Sequence, residues 1–380
     1  MSMTYNDPKG GTASDVGSQI RTDYFHKKAL VEAAKEMYFG QLADVTAMPK
    51  NMGKTIKRFH YMPILDARNV NGQGIDAAGT TIANGNLYGS SKDVGTIAAK
   101  IPALTEAGGR VNRVGMKRLE LEGTIEKFGF FDEYSQESLD FDSDAELLQH
   151  LTTESVKAAN EITEDQLQID LLNGAGVVRY AGVATSAVTL SGETGGITAV
   201  DYDDLVKLSI ELNNNRTPKQ TKVISGSRMV DTKVVNAARV MYVGSEMVPA
   251  LMKMTDYHSN KAFIPVAQYA QAGSVIRGEI GAVDSFRIVE VPEMMKWAGV
   301  GATVTAADAG YHSTSSQYDV FPMMVVGEGA FTTIGFQTDG KTVKFKIKHV
   351  RPSENHSSTD PYGETGFYSI KWYYGTMILR

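Results

Sequence analysis

The segment DSDAELLQHLTTESVKAANEITEDQLQIDLLNG, residues 142 to 174, sets the scale of anything this chain can fold into. Ser143 and Glu146 make a capping box at its start, and Asn173-Gly174 supplies a stop. Leu148, Leu151, Ala158, Ala159, Ile162, Ile169 and Leu172 form an apolar stripe along it. A helix of about thirty residues spans roughly 45 Å. That exceeds the core of one small domain, so the helix must be a strut along which other elements pack.

Different patterns flank the strut. The opening twenty or so residues, rich in Gly, Ser, Thr and Asp, read as a flexible arm. Leu30, Ala34, Met37, Tyr38 and Leu42 then predict an amphipathic helix from about Asp23 to Leu42. KTIKRFHYMPIL (54–65) and RVGMKRLELEGTIEKF (113–128) read as two long strands forming a hairpin-like pair. A glycine-studded stretch of over about forty residues lies between them, and loops that long serve a function or are ordered by a partner. From 200 to 325 short elements alternate. DYDDLVKLSIELNN and SRMVDTKVVNAARV read as helices, and TKVISG, VIRG, SFRIVEV and QYDVFPMMVV as strands, making a mixed α/β region. KTVKFKIKHV and the aromatic FYSIKWYYGTMIL return to β structure.

Charge is divided along the chain. Lys50 to Arg118 carries 11 Lys or Arg against 4 Asp or Glu, whereas Leu119 to Asn213 carries 4 against 20. The basic charges are spread widely with few aromatics, a poor platform for stacking nucleic-acid bases. Complementarity between copies of the chain is the better use. With 42% apolar residues there is material for large cores, and the absence of cysteine excludes disulfides and thiolate metal sites. No apolar run is long enough to span a membrane.

Catalytic and ligand motifs fail in detail. Gly53-Lys54-Thr55 ends like a phosphate-binding loop, but Met48 stands where its first glycine belongs. Asp140, Asp142 and Asp144 have calcium-loop spacing, with Ala145 and Leu151 at positions that need Gly and Glu. Gly174 and Gly176 are followed by Arg179 where a dinucleotide fingerprint needs its third glycine. No cofactor is implied. VIRGEIGAVDSFRIVEVPEM is the most suggestive stretch: Gly278 and Gly281 bracket Glu279, which reads as exposed. It fits a ligand-binding turn, a catalytic carboxylate or a strand connection. Without a neighbour to shift its pKa, Glu279 reads as solvated or salt-bridged.

The order of arm, glycine-rich β-extension, strut helix, α/β region and returning strands resembles the major capsid proteins of tailed bacteriophages, of the Hong-Kong-97-type fold. GEIGAVDSFRIVEVPEM, with Gly278, Glu279, Gly281 and Arg287, is similar to the axial-domain hairpin of that family. DPYGETGFYSIKWYYGTMIL, with Asp360, Pro361, Gly363, Trp372 and Tyr373, resembles the closing segment in the podophage group like phage N-four. The resemblance implies an α+β fold with an arm (1–50), an extended β-hairpin loop (51–125), a peripheral domain with spine helix (126–199), an axial domain (200–325) and return strands (326–380). It implies hexameric and pentameric capsomers of a shell around double-stranded DNA, without sequence-specific binding and without catalysis. Scaffolding, portal and decoration or cement proteins are the implied partners, and the virion, assembled in the bacterial cytoplasm, is the implied location.

On that reading the basic extension of one copy (Lys54, Lys57, Arg58, Arg68, Lys92, Arg110, Arg113, Lys117, Arg118) reaches acidic residues of a neighbour (Glu126, Asp132, Glu133, Glu137). Glu279 becomes an interface or turn-stabilising residue. Two rivals remain: an encapsulin-like cage of the same fold, and a cytoplasmic hydrolase using Glu279 with Asp284.

Overall fold

The computed structural model describes residues 37–49, 51–61, 118–137, 147–191, 200–219, 224–225, 234–235, 238–269, 275–304, 312–338, 341–342, 345–354 and 360–379. A six-stranded sheet is organised around one strand, Thr365–Ile378. Along it Phe367, Ser369, Lys371 and Tyr373 alternate with Tyr368, Ile370, Trp372 and Tyr374, and the second set is buried. That two-residue period places four large rings and branched chains on one face. Glu126–Ser135 pairs antiparallel with it over ten positions, from Ser135 opposite Thr365 to Glu126 opposite Tyr374. Phe345–Val350 pairs with residues 367–372 of the same strand, and so occupies the other edge. Phe331–Thr338 pairs with the last residues of the strand, and Asp44–Met48 joins parallel to Phe331–Thr338.

Against this sheet lies α1, Leu147–Asn173, whose 27 residues make a rod of about 40 Å. Its buried face is Ala159, Glu164, Leu167, Gln168 and Leu171, while Ile162 and Ile169 are exposed. The apolar stripe expected from sequence is therefore rotated. Two polar residues belong to the inward face, Glu164 because its partners Tyr38 and Phe39 lie far away in the chain, and the isoleucines point outward. The predicted stop at Asn173 holds, with the Gly174 N–H closing the last turn on the Asp170 carbonyl at 2.9 Å. Residues 142–146, with the capping box, lie outside the described residues. Among the described residues no helix is long and apolar enough to cross a membrane.

The second sheet has five strands in the order Met323–Val326, Arg239–Gly244, Phe286–Val291, Glu279–Val283, Ile264–Pro265. Its strands Arg239–Gly244 and Phe286–Val291 are parallel and buried almost throughout, because both faces are covered. Val240, Tyr242, Val289 and Val291 face the core shared with α1 and the closing strand. Met241, Val243, Phe286 and Ile288 face a second core under α2 (Tyr202–Asn214). The α2 start is fixed by Asp201, whose carboxylate accepts the Asp204 N–H at 2.8 Å.

Three sequence expectations change here. The helix predicted over residues 227–240 gives way to strand at Val234–Val235 and from Arg239 onward, since β-branched residues with partners on both faces favour the sheet. VIRG is a turn, closed by Glu279 N–H to the Ile276 carbonyl at 3.0 Å, and the strand begins at Glu279. Residues 317–326 form two short strands, not one, with Pro322 between them lacking a donor for a ladder.

The predicted pairing of Thr55–Tyr61 with Arg118–Thr124 is present, running from Thr55 opposite Thr124 to Tyr61 opposite Arg118. Among the described residues it forms a ribbon with no ladder to either large sheet. The amphipathic helix expected over 23–42 falls mostly outside the described residues; within them Phe39–Leu42 is a short 3-10 turn leading into the Asp44–Met48 strand.

Candidate assembly interface

The ribbon is pinned at its base and exposed along its length. At the base, the closing strand passes so near that a Cβ on Gly375 would lie 2.2 Å from the Thr124 carbonyl oxygen, so only glycine fits. Further out, Phe59 and Tyr61 are 48% and 58% exposed. Period-two alternation sets Lys57 on the same ribbon face as Glu120 and Glu122, 3.5 and 2.6 Å from its ammonium. The Glu122 bond, then the Glu120 charge, raise the Lys57 pKa. The Arg118 guanidinium lies 3.9 Å from the centre of the Phe59 ring, and Arg58 donates to Thr46 Oγ1 at 3.1 Å.

Within the subunit, then, Lys57, Arg58 and Arg118 each have a partner in their own chain. Lys54 is exposed at the ribbon base. Arg68, Lys92, Arg110, Arg113 and Lys117 lie outside the described residues. Glu126, Asp132, Glu133 and Glu137 are all exposed, on or just beyond the Glu126–Ser135 strand and not on the strut.

Glu279 is the clearest reversal. It is buried, not exposed, and so is no surface contact. Arg287 donates from Nε to Oε1 at 2.8 Å and from Nη2 to Oε2 at 2.5 Å. The Tyr269 hydroxyl donates to Oε1 at 2.7 Å and the Ile276 N–H to Oε2 at 3.0 Å. Burial, then the bond to Glu279, push the Tyr269 phenol pKa upward. Both carboxylate oxygens are thus occupied from inside, which leaves the hydrolase reading without a base. Asp284, its supposed partner, stands at φ 49° in the tight turn between Glu279–Val283 and Phe286–Val291.

The flanking glycines have separate reasons. Gly278 takes φ 78°, and a Cβ there would lie 2.6 Å from Tyr38 Cε1. A Cβ on Gly281 would lie 2.4 Å from Phe263 Cζ. Glu279 does stabilise its turn, through Ile276.

Tyr38 belongs to a joint that sequence reasoning missed. Glu164 of α1 accepts the N–H groups of Tyr38 and Phe39, each at 2.7 Å, and the Tyr242 hydroxyl donates to the Tyr38 carbonyl at 3.2 Å. The Gln41 side chain accepts the Arg277 N–H at 3.1 Å. Residues 38–41 are thereby wedged between the strut and the second sheet. Nothing local marks Glu164, which reads as one more acid on a solvated face.

A sequence family described as phage capsid protein matches residues 118–352, which covers the ribbon's return strand, the strut and the whole second sheet. This chain belongs to that family. The capsid protein is 59% identical over 377 residues to the major capsid protein of Pseudomonas phage KPP21, covering 99% of this chain and 94% of that one. Its fold matches the capsid of Ralstonia phage GP4 with TM-score 0.54 at 9% identity, covering 97% and 94% of the two chains. It matches the cyanophage P-SCSP1u capsid with TM-score 0.52 at 12% identity, covering 100% and 96%. Likeness at such low identity is likeness of fold, and the fold is the α+β Hong-Kong-97-type expected from the element order.

Of the closing-segment residues, Trp372 is buried in the main core, and Tyr373 packs on a smaller cluster with Met48, Ile125, Ile334 and Met377. Pro361 and Gly363, the latter at φ 68°, shape the turn before the closing strand. Asp360 caps that turn, accepting from Thr365 Oγ1 at 2.5 Å, Thr365 N–H at 2.7 Å and Glu364 N–H at 3.1 Å. The Thr365 hydroxyl, then the two amides, hold its pKa at about 2. A carboxyl depressed below its unfolded value of roughly 3.9 stabilises the capsid protein above that pH and loses the contribution as pH falls toward 2. Melting temperature should therefore drop less between pH 4 and about 2 for Asp360→Asn than for wild type. Parallel acid melting curves would sink this assignment.

Proposed function

We propose that this capsid protein is the repeating subunit of an icosahedral phage head that encloses double-stranded DNA, assembled from hexamers and pentamers. The observation that carries the proposal is the ribbon. A two-stranded ribbon is marginal alone in water, and this one leaves Phe59 and Tyr61 exposed, with no ladder to another strand among the described residues. A neighbouring copy is the cover that a closed lattice supplies to every subunit at once. The role is architectural, not catalytic, consistent with Glu279 being spent on an internal ion pair.

The domain division follows that reading: arm 1–50, extended loop 51–125, peripheral domain with spine helix 126–199 completed by 326–380, and axial domain 200–325. The turn at Asp360 and the aromatic strand after it support a place in the N-four-like podophage group. Scaffolding, portal and cement proteins complete the set of partners.

Purified full-length protein should form particles of megadalton mass, visible as closed shells by negative-stain microscopy. Elution only as a small oligomer under all assembly conditions would reject the shell. Particles that copurify with a protein cargo in place of DNA would favour the encapsulin-like cage.

A further inference from the structure

Where the ribbon meets the end of α1 there is a depression of about 180 Å³. The Glu126–Ser135 strand contributes Glu126, α1 contributes Gln166 and Asp170, and the closing strand contributes Tyr374 and Thr376. Glu126 is brought in by the register, which sets it opposite Tyr374. None of the lining residues is basic.

The Asp170 carboxylate is held rigidly, accepting from Gln166 Nε2 at 2.9 Å and Thr376 Oγ1 at 2.6 Å. Two fixed bonds leave further lone-pair positions on a carboxylate. Tyr374 is 7% exposed, and its phenol oxygen is buried without a hydrogen-bond partner among the described residues. Burial first, then the charges of Asp170 and Glu164, raise the Tyr374 pKa, as expected for a group in a negative field. An orphaned phenol, one anchored carboxylate and one exposed carboxylate make a set of oxygen acceptors awaiting a cationic donor.

We infer that this notch receives a lysine or arginine side chain from the 62–117 segment of a second copy of the chain. The segment brings six cations, Arg68, Lys92, Lys100, Arg110, Arg113 and Lys117, while the notch lies in the acidic sector of the sequence. The ribbon's own cations are not the source, since Lys57 and Arg118 are already engaged. A long flexible stem suits a narrow polar opening, because the cation enters while its methylenes cover the rim. This rests on the shell reading and gives it a specific contact.

The test uses the full-length chain and the concentration at which shells form, followed by light scattering across a salt series. Glu126→Lys should raise that concentration by about tenfold, the scale of a lost partly buried charge pair, and flatten its salt dependence. Glu133→Lys makes the same charge change on the same strand outside the notch and should stay within about twofold, as exposed pairs contribute little. One reversal among the six, such as Lys92→Glu, should restore assembly to Glu126→Lys. Asp170→Asn should also weaken assembly while the unassembled subunit still folds by circular dichroism.

The docking is overturned if Glu126→Lys assembles like wild type, if Glu133→Lys is equally harmful, or if none of the six reversals rescues. It is also overturned if unassembled subunits bind magnesium or spermidine calorimetrically and Glu126→Lys abolishes that binding, because the occupant is then a free cation. Wild-type protein that never forms shells overturns the shell reading and the docking together; shells indifferent to Glu126→Lys overturn the docking alone.

Discussion

Arg287→Ala should lower the unfolding free energy of the unassembled subunit by about 3–5 kcal/mol, the cost of stranding a charge in a protein interior. The Arg287 and Glu279 side chains are 4% and 0% exposed, so water cannot take over the lost bonds. Glu279→Ala should do at least as much damage, since it leaves the Arg287 cation, the Tyr269 hydroxyl and the Ile276 N–H without their acceptor. Arg287→Lys keeps the charge but not the two-pronged geometry, and should fall between. Urea unfolding followed by tryptophan fluorescence reads all three. A loss under about 1 kcal/mol for Arg287→Ala would mean that the pair is open to solvent.

Glu164→Ala should cost about 2–4 kcal/mol, because two buried backbone donors lose a charged acceptor together. The damage should be local in a way that Arg287→Ala is not. Hydrogen exchange at the Tyr38 and Phe39 amides should accelerate strongly, while exchange in Arg239–Gly244 follows only the global loss. Glu164→Gln keeps one acceptor oxygen and should retain part of the protection. Unchanged exchange at both amides in Glu164→Ala would show that residues 38–41 are held by packing alone.

These two groups mark the limit of what the sequence discloses. The end of the strut, the ribbon pairing and the closing strand are legible because each is written in a local code: a helix stop, opposed alternating runs, an aromatic period of two. Glu164 is illegible because its partners lie in a chain segment more than a hundred residues away, as the 126-residue separation from Tyr38 shows. Glu279 misleads for a different reason. Glycines on both sides suggest a solvated turn, yet they are there to admit Tyr38 and Phe263. Its true partner Arg287 is only eight residues away, on the paired strand. A charged residue inside the apolar run FRIVEV was the one available signal. The intrachain partners of the ribbon cations are not legible in net charge along a segment: alternation sets Lys57 beside Glu120 and Glu122, while Arg58 reaches Thr46 and Arg118 covers Phe59.

The order of strands carries a consequence for how the subunit reaches its native state. In the five-stranded sheet, central partners such as Arg239 and Phe286 lie close in sequence, whereas the six-stranded sheet joins Asp44 to Thr332 across 288 residues. Loop closure over such distances is slow relative to local pairing. The five-stranded sheet is thus the early folding unit, and the six-stranded sheet completes late. Phe345–Val350 finds its partner nearby in the chain, but until the sheet closes the other edge of Thr365–Ile378, and Glu126–Ser135 that fills it, have no partner. The newly made subunit therefore passes through an interval in which those edges are open to pairing with other incomplete chains, a hazard for a protein made in many copies.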